Sequence, residues 1–253
     1  MRAVPEEAYE LILQASETSG KKRTSLALHA LSISKDCADA YVILADAEQD
    51  NAEALRLLEE GVRAGERVLG KRVFRECVGD FWLVFETRPY MRARFALALL
   101  LRDIGERDRA IDIFTDLLRL NPNDNQGARY ELATCFLEKG DHAALEGLLE
   151  EYENDGSAVW LYSRALLKFR QEGKSMEAEV CLREAIEENP FVPRYLLGKK
   201  DLPARHPDCM SRGERSEAIV YTLDNRRVWK ETPGALGWLG AMVSSRSRKG
   251  KRR

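Results

Sequence analysis

Apolar residues recur along the chain three and four positions apart, and nowhere in a sustained alternation. The pattern therefore predicts helices and no strands. The helices come in pairs. Counted from Arg94, the residues Leu97, Ala98, Leu101, Ala110, Phe114 and Pro122 fall in fixed places. Counted from Tyr162, Ala165, Leu166, Phe169, Ala178, Leu182 and Pro190 repeat the arrangement. Pro122 and Pro190 lie 68 positions apart, twice a period of about 34 residues. A copy between them starts at Ala128 and fits best after a one-residue slip that brings Leu132 and Ala133 into the large and small places.

The spacing has a mechanical cause. Two helices pack closely only where a small side chain faces a large one, and Ala98, Ala110 and Ala178 supply the small contacts opposite Phe114 and Leu182. Gly105, Gly140 and Gly173 follow the first helix of each pair, where a left-handed cap is wanted. Leu120-Asn121-Pro122 and Glu188-Asn189-Pro190 end the second helix, because a residue before proline avoids the helical region. Upstream, Tyr41, Leu44 and Ala45 open another copy whose partner helix carries Ala54, Leu58 and Gly61. Asp50 and Glu53 resemble a capping box there. Residues 6–33 read as a degenerate N-terminal pair broken at Ser19-Gly20.

Two segments leave the pattern. Residues 62–90 read as an irregular insertion, a helix extended through Val68 and Phe74 and then a turn at Gly79-Asp80. Residues 191–243 read as a C-terminal cap in which Ser211-x-x-Glu214 starts a helix carrying Ala218, Tyr221, Asn225 and Val228 on one side. A last short helix over Gly234–Val243 closes it, and residues 244–253 read as a disordered basic tail. The expected fold is all-α: a right-handed tetratricopeptide-type α-solenoid of about four to five helix pairs, one domain over 1–243.

Charge refines this picture. In 253 residues, 40 Lys and Arg stand against 42 Asp and Glu, but six of the basic residues crowd the end: Arg246, Arg248, Lys249, Lys251, Arg252 and Arg253. Without them the body holds 34 basic against 42 acidic residues. A wholly basic nucleic-acid protein is excluded. The longest apolar run is Phe95–Leu101, far short of the roughly 20 residues a spanning helix needs. The N-terminus has no apolar signal region, and the five cysteines are widely spaced. A cytoplasmic protein with reduced thiols and no membrane span is expected.

Several ordered blocks resemble a bacterial family of tetratricopeptide-repeat proteins: Asp36–Tyr41, Glu86–Ala93, Leu120–Gly127, Asn189–Gly198 and Thr232–Leu236. Asn189-Pro190-Phe191-Val192-Pro193-Arg194-Tyr195-Leu196-Leu197, followed by Ser216-Glu217-Ala218-Ile219, is also similar to the eukaryotic suppression-of-tumorigenicity-seven family. The resemblance covers residues 25–240 and implies a helical-repeat protein. It brings no catalytic residues with it, and the membrane segments of the eukaryotic relatives have no counterpart here.

Candidate chemistry is sparse. Gly65–Lys71 fits the first seven positions of a phosphate-binding loop, but Arg72 stands where a Ser or Thr would hold magnesium, and the surroundings read as helix. His206 and Cys209 sit three apart with no second close pair, so neither a zinc site nor a hydrolase built on them is supported. No cofactor, no metal and no enzyme activity are expected. Phe81, Trp82, Phe85 and Tyr90 put four aromatics in ten residues; they read as a partner-binding surface or, preferred for Phe81, Trp82 and Phe85, as a seal of the insertion against the repeats.

The first helix of each pair should line a concave face. The residues expected to point there are Arg88, Tyr90, Arg92, Phe95, Leu99, Arg102, Asn125 and Arg129, and further along Trp160, Ser163 and Arg170. Chaperone-tail-binding relatives of this repeat class clamp a carboxylate with Lys and Asn where Phe95 and Leu99 stand, so the resemblance argues against such a ligand. An apolar groove with arginines suits a peptide or helix bearing acidic groups. The expected role is a non-enzymatic interaction scaffold with a protein or peptide partner. The alternative is a nucleic-acid-associated protein acting through the tail.

Overall fold

A computed structural model describes residues 4–250, with side chains described over 4–245. Among the described residues all regular structure is helical and no strand occurs. Two compact units divide the chain between Leu132 and Ala133.

The first unit holds α1 (Glu6–Ser16), α2 (Gly20–Ile33), α3 (Ala38–Asp46), α4 (Asn51–Glu76), α5 (Arg88–Asp103), α6 (Arg107–Leu120) and the start of α7 (Ala128–Lys139). α1 packs on α2, α3 on α4 and α5 on α6, and both α3 and α4 pack on α5. The small residues make this possible: Ala8, Ala15, Ala27, Ala30, Ala93, Ala98 and Ala110 are all fully buried, as is Phe114 between its alanines. Gly105 follows α5 with a φ of 91°. Asn121 ends α6 outside the helical region, with φ −145° and ψ 80°, before Pro122.

α4 is long because its second half crosses the insertion. Its tight passage is set by Gly65: a Cβ there would meet the Tyr90 Cβ at 2.8 Å. At Gly70 the helix bends, with φ 64° and ψ 166°. Residues 77–87 then fold back on α6, where the amides of Gly79 and Phe81 both donate to the Leu120 carbonyl at 3.1 Å. Phe81 is fully buried against Phe74 and Tyr90, while Leu83 and Phe85 remain exposed. The sealing role therefore falls to Phe81 and not to Phe85. Asp50 caps α4 by accepting from the Ala52 amide at 3.0 Å. Glu53 turns to Arg56 instead of closing the box.

The second unit continues α7 and adds α8 (His142–Glu151), α9 (Ala158–Glu172), α10 (Met176–Glu188), the short α11 (Val192–Leu196), α12 (Arg215–Glu231) and α13 (Ala235–Gly250). α9 and α10 form the same kind of pair, with Ala165, Ala178 and Leu182 fully buried. The capping segment packs α12 on α9 and α11, and α13 on α10, α11 and α12. Ala218, Tyr221, Asn225 and Val228 form the buried side of α12.

Two expectations change here. Ser211 and Glu214 make no capping box: α12 starts at Arg215, and the Ser211 amide donates to Ser216 Oγ at 3.0 Å. Glu217, one turn into the helix, takes over the work. Its Oε1 accepts from the Ala158 amide, and its Oε2 from the Gly213 amide and Asn189 Nδ2, each at 2.8 Å. The final helix, expected to stop at Val243, runs on through Gly250, where a disordered tail was expected. The side chains of Arg246, Arg248 and Lys249, and the whole of Lys251, Arg252 and Arg253, lie outside the described residues.

Candidate functional site

In the first unit the arginines expected to face a ligand are spent on the protein itself. Arg92 on α5 forms a two-point pair with Asp39 on α3, Nε to Oδ1 and Nη2 to Oδ2 both at 2.7 Å. Arg102 pairs with Glu131 on α7 and with Asp103. Arg129 reaches Asp124 Oδ2 at 3.0 Å and lies over the Tyr130 ring at 4.4 Å. Arg88 donates to the Trp82 carbonyl at 3.0 Å and covers the Trp82 and Phe85 rings. Arg92 and Arg102 tie one helix to another, and Arg88 and Arg129 fasten the segments that lead into their own helices, which is a strut's task rather than a ligand clamp's.

The apolar members also sit deeper than expected. Tyr90 is buried against Phe74 and Phe81, and burial pushes its phenol up against the opposing pull of Arg94. Phe95 meets Phe114 edge-on at 5.7 Å and, like Leu99, is half-buried. Asn125 is exposed.

In the second unit Trp160 and Ser163 are fully buried, so neither lines a ligand face. α9 packs on α8, α10 and α12, so positions that periodicity turns away from one partner are covered by another. Arg170 donates to Thr232 Oγ1 at 2.9 Å and to the Leu137 carbonyl at 2.6 Å. Burial draws its guanidinium below the ordinary value, with Glu231 opposing.

What the first unit offers instead is a cleft of about 180 Å³. Tyr9 and Ile12 from α1, Val68 from α4, and Phe85 and Pro89 at the entry to α5 form its apolar walls, and Asp36, Asp39 and Glu86 stand on its rim. Phe85, 53% exposed, meets Tyr9 edge-on at 6.1 Å. Cys37 lines the cleft too, and burial pushes its thiol up to about 11, so it is a packing group and not a nucleophile. The sequence pattern missed this site because its walls come from separate segments. Only the aromatic run around Phe85 pointed at it.

The remaining candidates fall away. Gly65 and Gly70 lie within α4, so no phosphate-cradling loop forms between them. His206 Nε2 faces Asp224 Oδ1 at 3.0 Å and Cys209 is exposed. Among the described residues no group of three His, Cys, Asp or Glu gathers as a metal site requires. No helix among them is long and apolar enough to cross a membrane.

Helix pairs built on small-to-large contacts, glycine-ended first helices and Asn-Pro-ended second helices define a tetratricopeptide-type helical-repeat protein. A solved structure supports that fold. The crystal structure of YrrB, titled "a TPR protein with an unusual peptide-binding site", aligns with a TM-score of 0.50 over 72% of this chain and 86% of that one, at 19% identity. The chain belongs to the ST7 protein family, which it matches over residues 4–248. It is 30% identical over 248 residues to the suppressor of tumorigenicity 7 protein-like of Rattus norvegicus, covering 88% of this chain and 44% of that one. It is 29% identical over 258 residues to the ST7 homolog of Drosophila melanogaster, covering 92% and 48%. The chain thus spans less than half the length of these relatives. They are animal proteins and lend nothing to the bacterial side of the sequence resemblance.

Proposed function

We propose that this protein is a non-enzymatic interaction scaffold that takes a short peptide segment of a protein partner into the cleft of its first unit. The observation that carries the reading is the half-exposed Phe85 ring at the mouth of an apolar cleft walled by Tyr9, Ile12, Val68 and Pro89. Cavities of this size hold one anchoring side chain, and one well-packed anchor supplies much of the energy of such a contact. On the rim Asp36 is already held by Arg67 and Asp39 by Arg92, so Glu86 is the carboxylate that favours a basic residue beside the anchor. YrrB, a TPR protein with an unusual peptide-binding site, is in keeping with this reading.

The test is a peptide-display selection against the full chain, counter-selected with Phe85→Asp. Enriched sequences should combine a bulky apolar residue with a neighbouring Lys or Arg and should lose binding to the variant. If nothing enriches, or if the enriched peptides bind Phe85→Asp equally well, the reading fails. Phe85 is exposed enough for the variant to keep its fold, which a circular dichroism melt verifies.

A further inference from the structure

α4 carries a second feature that the cleft does not use. Between Gly61 and Cys77 five basic residues stand against two acidic ones, on a body that is otherwise acidic. Arg63 and Arg67 stand four apart on one face before the Gly70 bend, and Lys71 and Arg75 four apart on one face after it. All four line an open cavity of about 900 Å³, together with Glu66, Gly70, Phe74 and Tyr90. They are not equivalent. Arg63 is held by Glu60, with Nε to Oε2 at 2.9 Å, and Arg67 by Asp36 at 2.7 Å and Glu60 at 3.0 Å. Past the Gly70 bend the remaining two of the four differ. Neither Lys71 nor Arg75 has a carboxylate partner among the described residues, and both are exposed. Arg72, on another face, is taken by Glu76 at 2.8 Å. Phe74, half-buried, supplies an apolar floor between the two open cations.

We propose that the cavity at the α4 bend binds an acidic peptide segment of a protein partner, its carboxylates on Lys71 and Arg75 and one apolar side chain on Phe74. The charge pattern favours this occupant over its rivals. A nucleic acid tracks a continuous basic groove, and here the basic stretch is short and bounded by Glu59, Glu60, Glu66 and Glu76. An anionic membrane attracts a broadly basic surface, and the body around this stripe is acidic. A short acidic segment needs only the two open cations past the Gly70 bend, and Glu66, the one acidic residue lining the cavity among the described residues, precedes the bend in sequence. The cavity shares Tyr90 with the lining of the cleft but does not include Phe85, so the Phe85→Asp variant separates the two readings.

The experiment is fluorescence anisotropy on the full chain with a fluorescein-labelled glutamate-rich peptide carrying a single Phe. Binding should weaken steadily as salt rises. The double variant Lys71→Glu/Arg75→Glu should weaken it by about tenfold or more, and Phe74→Ala by a few fold. The pair Lys21→Glu/Lys22→Glu on α2, equally exposed, should leave it unchanged, as should Phe85→Asp. The proposal is overturned if the peptide does not bind, or if the α2 pair weakens binding as much as the α4 pair. It is also overturned if a labelled oligothymidylate or phosphatidylserine vesicles compete for Lys71 and Arg75 more strongly than the peptide. Unchanged melting curves for the charge-reversal variants tie their loss to the surface and not to unfolding, while Phe74→Ala, which also loosens Phe81 and Tyr90, is read well below its own melting temperature.

Discussion

Arg92 and Asp39 meet through two parallel hydrogen bonds of 2.7 Å, joining the first helix of one pair to the first helix of the next. The arginine that sequence spacing placed in a ligand groove is thus a link between repeats. We predict that Arg92→Ala lowers the unfolding free energy by about 0.5–1 kcal/mol, since the two-point geometry favours the pair and water screens the half-exposed arginine. A double-mutant cycle with Asp39→Ala should return a coupling of that size. A coupling of zero would show that the contact adds nothing to stability.

Glu217 is the most consequential polar residue of the second unit. It is 3% exposed and accepts three hydrogen bonds, from the Ala158 and Gly213 amides and from Asn189 Nδ2. Glu217→Ala strands all three donors and should cost about 3 kcal/mol or more in urea denaturation. Glu217→Gln keeps part of the set and should cost less. Equal costs for the two would mean that packing, and not hydrogen bonding, is what the residue provides.

Two glycines within helices should respond oppositely to alanine. Gly65→Ala drives a methyl group into Tyr90, whose Cβ would stand at 2.8 Å, and the clash should destabilise by about 1–3 kcal/mol. A methyl group added at Gly147 in α8 would meet nothing within 4 Å, so Gly147→Ala should stabilise by about 0.5–1 kcal/mol through helix propensity alone. Thermal melts of the two variants check the pair. A gain at Gly65 would show that α4 and α5 sit farther apart than described.

Thiol reactivity should sort by burial. Cys209 is exposed and Cys37 buried, and burial raises the Cys37 thiol to about 11. At pH 8 only about one Cys37 in a thousand is then a thiolate, so a maleimide should modify Cys209 first and Cys37 only after denaturation. Mass mapping of a timed reaction decides it, and early labelling of Cys37 would contradict its place in the cleft wall.

The repeat was legible because its signal is local. Ala98, Ala110, Phe114, Ala178 and Leu182 are fully buried where the spacing put them, and Gly105, Gly140 and Gly173 take positive φ where a helix must end. The candidate site was far less legible. Trp160 and Ser163 have the spacing of a groove face yet are fully buried, because periodicity gives the direction of a side chain and not what lies in that direction. The capping box at Ser211 failed for a related reason: Glu217 has three donors waiting, two of them from distant segments, and a local motif carries no trace of them.

The sequence by itself determined helices, their pairing and their turns, since each depends on residues within a few positions of one another. Only the tertiary structure decided which arginines became links, that Cys37, Tyr9 and Phe85 share a cleft, and that Lys71 and Arg75 stay open past the Gly70 bend. The reason is physical. Burial and ion pairing depend on which groups converge from separate helices, and a charged side chain finds its partner through space, as Arg92 does across 53 positions of chain.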